Sequence, residues 1–167
     1  LWLARGTRPD MAHAVQRLST RVQGWTCEED QALYHLMQYL KGSVQRSLWY
    51  NISPYDKVNG LLFLHGRADS DHAGEATTAR STSGWRLALE GPRSFALLDW
   101  GSRRQGGTAK STPEAELLAI GDLITRSLAP VGEAISQAWG IQLFEAPETV
   151  NHAALPDVRS GHSKKMA

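Results

Sequence analysis

The sequence predicts an α/β fold, a mixed sheet with helices packed on it, preceded by a pair of amphipathic helices. Three observations lead there. Apolar residues recur at helical spacing early in the chain, short apolar runs suited to strands follow, and two helical stretches and a last strand come after them.

The elements follow in order. After Pro9, the residues Met11, Ala14, Val15, Leu18 and Val22 fall at three- and four-residue steps on one helical face, and Gly24 suits the helix end. Thr26 and Glu29 form a T-x-x-E capping box, in which each side chain satisfies an orphan donor of the first turn. The helix behind it carries Ala32, Leu33, Leu36, Met37 and Leu40 on one face and stops at Gly42. Residues 51–60 (N-I-S-P-Y-D-K-V-N-G) are dense in turn formers and read as a boundary, so two domains are expected, 1–50 and 51–167. Residues 61–64, 85–89 and 95–100 suit strands. Ser111 and Glu114 repeat the capping box ahead of Leu117, Leu118, Ile120, Leu123 and Ile124. That helix should reach Leu128, where Pro130 breaks or kinks it. A further helix over 131–139 ends at Gly140, and 141–144 reads as a strand.

Composition narrows the function. The 167 residues are 41% hydrophobic, which suits a folded globular chain and not a disordered one. A formal net charge of +1 announces no gross nucleic-acid affinity, so any such role rests on local patches. The single cysteine, Cys27, excludes an internal disulfide and suits a reducing compartment. No apolar run approaches the roughly 18 residues needed to cross a bilayer, so no membrane partner is expected. The chain starts at Leu1 without a charged-then-apolar leader, which suggests an internal piece of a longer protein without a signal peptide.

Candidate chemistry lies in two acidic pairs. Asp69 and Asp71 follow the first strand, and residues two apart on a strand share a face. Paired like charges repel unless a cation lies between them, and a divalent ion held by oxygens is the usual solution. A polar turn at a strand end is the plainer reading of the same spacing. Glu114 is explained as a capping partner, whereas Glu116 is less easily dismissed. A strand aspartate facing a helix glutamate is a geometry used by two-metal nucleases, which the spacing permits without demanding.

Longer motifs add to this. T-R-P-D-M-A-H-A-V (7–15) followed by Y-L-K-G-S (39–43) resembles the end of the reverse transcriptase in copia-type retrotransposons. A-D-S-D-H-A-G (68–74) with R-S-T-S-G-W (80–85), and then W-G-S-R-R-Q-G-G-T-A-K-S-T-P-E-A-E (100–116), resemble the ribonuclease H domain of the same Pol polyproteins. The resemblance covers nearly the whole chain, in order. It implies a ribonuclease H-like sheet behind a helical part of the reverse transcriptase, with Asp69 and Glu116 as catalytic metal ligands and Asp71 as a further candidate. It implies two Mg²⁺ ions (or Mn²⁺) over the scissile phosphate of an RNA–DNA hybrid, one activating water and one stabilising the leaving oxygen. It further implies the remainder of the Pol polyprotein as partner, in cytoplasmic virus-like particles and the nucleus.

The chain departs from that pattern at a decisive place. T-V-N-H-A-A-L (149–155) puts Val150 where the family has its third ligand, an aspartate. Valine has no lone pair, so one ligand and one negative charge are missing. The fourth family carboxylate is expected beyond Ala167, and the catalytic aspartates of the reverse transcriptase ahead of Leu1. His72 replaces the family's Trp, and Pro130 interrupts a helix that the family continues. Arg103, Arg104, Lys164 and Lys165 are candidates for phosphate contact, against the plain reading of solvated faces. Two functional readings follow: a metal-dependent hybrid nuclease, impaired here, or an inactive ribonuclease H-like remnant that binds nucleic acid or protein.

Overall fold

The computed structural model describes residues 2–73 and 79–149, and the chain divides into two compact units, Leu1–Trp49 and Tyr50–Ala167. Val150, Lys164 and Lys165 therefore lie outside the described residues.

The first unit is helical throughout. It contains α1 (Trp2–Gly6), a 3-10 turn (Pro9–Met11), α2 (Ala12–Ser19), a second 3-10 turn (Val22–Gly24) and α3 (Cys27–Gly42). The expected helical pair is thus joined by a third helix, α1, which no cap or periodicity signals. The first expected helix also ends early, at Ser19. There the Ser19 and Thr20 hydroxyls donate to the Gln16 and Arg17 carbonyls, and short hydroxyls competing for carbonyls loosen a last turn. The Thr26 and Glu29 capping box forms as expected at the start of α3. No residue of α2 or α3 is fully buried. Their apolar stripes instead border a groove of about 450 Å³, with Trp2, Met11, Leu18, Trp25, Leu36 and Leu40 in its walls.

The second unit is α/β. It opens with a short helix, α4 (Pro54–Val58), inside the stretch read as a boundary, followed by β1 (Phe63–Asp71), β2 (Thr82–Gly91) and β3 (Ser94–Arg104). Then come α5 (Thr112–Leu123), a π-helical turn (Ile124–Leu128), α6 (Ala129–Trp139) and β4 (Phe144–Thr149). The sheet is mixed, in the order β3-β2-β1-β4, with β1, β2 and β3 antiparallel and β4 parallel to β1.

Three differences from the sequence reading have physical causes. The strands are longer than their apolar runs, because nine cross-strand pairs hold β1 along its whole length, polar end included, against β2. Pro130 does not break the helix. The Ala129 N–H reaches the Ile124 carbonyl, and this wider turn carries the helix past a residue that has no N–H to donate. The last strand begins at Phe144 instead of 141, because its ladder starts opposite Phe63, the first residue of β1. Gly140 closes α6 as expected, in the left-handed region at φ +67°.

The core lies between the sheet and the α5–α6 layer. Leu62, Leu64, Leu87, Leu89, Leu128 and Leu143 form one buried group, and Ala68, Ala119, Ile120 and Leu123 another. Among the described residues no helix is long and apolar enough to cross a membrane.

Candidate functional site

β1 supplies the first acidic pair. Along it Leu64, Gly66 and Ala68 are buried, while Arg67, Asp69 and Asp71 are exposed. Asp69 and Asp71 thus share a face, as their spacing requires, within the strand and not in a turn after it. That face is opposite the one Ala68 packs on Ala119, Ile120 and Leu123 of α5. The Asp69 carboxylate accepts the Ser70 N–H at 2.9 Å.

α5 supplies Glu116. Ser111 is its N-cap and accepts the Glu114 N–H at 3.3 Å, but the Glu114 carboxylate accepts from the Lys110 N–H at 2.7 Å. The second capping box is therefore half formed, with Glu114 satisfying a donor one residue further back. Glu116 begins the inward stripe that continues through Ala119, Ile120 and Leu123, and it is only 1% exposed. A carboxylate this deep needs donors. The Thr149 hydroxyl at the end of β4 donates to Glu116 Oε2 at 3.1 Å.

Thr149 pairs with Ala68, the residue before Asp69. Asp69 and Glu116 therefore reach the same end of the sheet, the C-terminal end of β1, the end at which open α/β sheets commonly bind ligands. They reach it from different sides, Glu116 from the α5 layer and Asp69 from the opposite face. Among the described residues no group of three or more His, Cys, Asp or Glu side chains is placed to hold a metal ion. The described residues do not by themselves complete the two-metal centre that the motifs imply.

Arg103 and Arg104 end β3, opposite Ser83 and Thr82. Arg103 lies 3.7 Å from Asp122, which also takes Arg126 at 2.8 Å, so its charge is shared with an acid.

Two residues of this region escape sequence reasoning. Gln105 is buried, and its amide donates to Ser83 Oγ at 3.1 Å and to the Ala115 carbonyl at 2.9 Å, tying β2 to the first turn of α5 beside Glu116. Its place between a strand and a capped helix is the signal that could have found it. Thr149 has no such signal.

Similarity to known proteins agrees with the motifs. The chain is 32% identical over 114 residues to the retrovirus-related Pol polyprotein from transposon RE1 of Arabidopsis thaliana, covering 68% of this chain and 7% of that polyprotein. It is 32% identical over 113 residues to the retrovirus-related Pol polyprotein from transposon TNT 1-94 of Nicotiana tabacum, covering 68% and 8%. Secreted RxLR effector protein 161 of Plasmopara viticola is 31% identical over 122 residues, covering 73% of this chain and 79% of that protein. No family model matches the chain, and no solved structure matches it. An α/β unit with a mixed four-stranded sheet, behind a helical unit, is what this stretch of sequence builds. The chain belongs to the family of retrovirus-related Pol polyproteins of copia-type transposons.

Proposed function

We propose that the chain is a ribonuclease H-like module of such a polyprotein, descended from a two-metal nuclease for RNA–DNA hybrids and impaired in hydrolysis. One observation carries this reading. Glu116 is buried on the α5 side with Thr149 on its carboxylate, while Asp69 is exposed on the other side of the sheet. Two ions bridging one phosphate need carboxylates that converge on it. Val150, in the third ligand position, adds no oxygen. The order of strands, three antiparallel and a fourth parallel to the first, is consistent with a ribonuclease H-like fold.

The hybrid, Mg²⁺ or Mn²⁺, and a life in cytoplasmic particles and the nucleus belong to this reading as its ancestral setting. Arg104 and the shared charge of Arg103 are the described cations offered for phosphate contact. Incubating an end-labelled hybrid with the purified chain in either metal tests the proposal. A hybrid that stays intact supports it, and cutting that Asp69→Asn abolishes overturns it.

A second reading, a binding role without catalysis, has its own observation. The first unit leaves the apolar stripes of α2 and α3 without a fully buried residue. So few residues rarely sustain a core of their own. This supports packing of that unit onto another part of the polyprotein, of which the matched stretch is 7% in RE1.

A further inference from the structure

Glu116 stands where the motifs put a metal ligand, yet its surroundings suit another task. Among the described residues β4 spans six positions and pairs with β1. Phe144, Glu145, Pro147 and Glu148 are exposed, and Pro147 has no N–H for the ladder, so β4 is held less by apolar burial than by its pairing with β1 and by Glu148, which takes His65 at 2.9 Å and Arg67 at 2.8 Å. Its buried anchor is Thr149, at the end that leads to position 150. That hydroxyl donates to Glu116, and the two groups are 7% and 1% exposed.

We propose that Glu116 is a latch in this chain, a buried acceptor that pins the C-terminal end of β4 to α5 through Thr149, and not a metal ligand. α5 is itself fixed, since Leu123 meets β1 at Gly66 and Gln105 holds the Ala115 carbonyl. The latch thus ties β4 to α5, beside the contacts that Glu148 makes to His65 and Arg67 of β1. A cation that drew Glu116 Oε2 toward Asp69, on the opposite face, would compete with Thr149 for that oxygen. The inference rests on the reading of an incomplete metal centre, but its test uses no substrate: hybrid cleavage decides that reading, and melting alone decides the latch.

Thermal melts of the full chain, in EDTA and in Mg²⁺, test it with Glu116→Ala, Thr149→Val, the double variant and Glu116→Gln. Losing a hydrogen bond to a buried carboxylate should lower Tm by about 5 °C in each single variant. The double variant should melt no lower than the worse single variant, because both remove the same contact. Glu116→Gln keeps an acceptor oxygen and should melt near wild type, and Mg²⁺ should move none of these values. Additive losses overturn the latch. So does a saturable Mg²⁺ stabilisation of wild type that Glu116→Gln removes. If Glu116→Ala does not fold, Thr149→Val against Thr149→Ser decides: a low valine and a near-normal serine support the latch, and equal losses overturn it.

Discussion

Arg8 and Ser43, thirty-five residues apart, are joined by a hydrogen bond of 2.6 Å from the guanidinium to the serine hydroxyl. The same guanidinium holds Asp10 through two contacts of 3.0 and 2.8 Å, and Tyr39 donates its hydroxyl to Asp10 at 2.6 Å. The motifs T-R-P-D and Y-L-K-G-S are thus halves of one polar knot within the first unit. Arg8→Lys should melt earlier than wild type, because an ammonium cannot reproduce a planar fork on Asp10 while reaching Ser43. Arg8→Ala should melt earlier still. Far-ultraviolet circular dichroism against temperature measures both.

Acid should open this knot. The Arg8 hydrogen bonds hold the Asp10 carboxyl down at about 2, against an ordinary value of 3.8. A depressed folded value stabilises above the unfolded value and is lost as pH falls through the folded one, so the contribution disappears between about 3.8 and 2. At this partly exposed site it amounts to about 1 kcal/mol. Glu148, held below its ordinary range chiefly by its hydrogen bond with His65, loses its contribution in the same direction. Asp10→Asn should flatten the acid limb of stability, measured by urea unfolding from pH 5 to 2.

Asp56 governs the hairpin between β2 and β3. It is fully buried and accepts the Arg93 N–H at 2.8 Å and the Ser94 hydroxyl at 2.7 Å. Asp56→Ala should cost about 3 kcal/mol by orphaning both donors, and Asp56→Asn less, since an amide oxygen can still accept. Chemical denaturation measures the difference.

Gly101 makes room for Trp85. A Cβ at position 101 would stand 2.2 Å from the indole Cζ2, and the ring is also held by a 3.3 Å bond from its Nε1–H to Asp99. Gly101→Ala should cost roughly 1–3 kcal/mol and shift the tryptophan fluorescence. Unfolding followed by that fluorescence checks both.

The parts of the fold legible in the sequence were those fixed locally. Thr26 with Glu29, Ser111 as an N-cap and Gly140 as a left-handed stop each act within one turn of chain. The apolar runs located β2 and β3 and the first two residues of β1, whose centre and end are polar. What escaped depends on distant partners. The polar end of β1 is a strand because β2 pairs with it, and β4 is a strand because β1 recruits a stretch holding Glu145, Pro147 and Glu148. Asp56 sits in a run of turn formers and shows its importance only when Arg93 and Ser94 return to it. At the candidate site, the shared face of Asp69 and Asp71 was legible from their spacing. The Thr149 hydroxyl on Glu116 was not, because it joins residues thirty-three apart.

The most direct measurement is the rate at which the purified chain cuts a labelled RNA–DNA hybrid in Mg²⁺, set beside Asp69→Asn and Val150→Asp. If Asp69 and Glu116 do not converge, no cutting rises above the Asp69→Asn background, with Val150→Asp the variant in which any recovery appears. Cutting by the unaltered chain that disappears in Asp69→Asn would contradict the account, because Asp69 and Glu116 would then hold metal together.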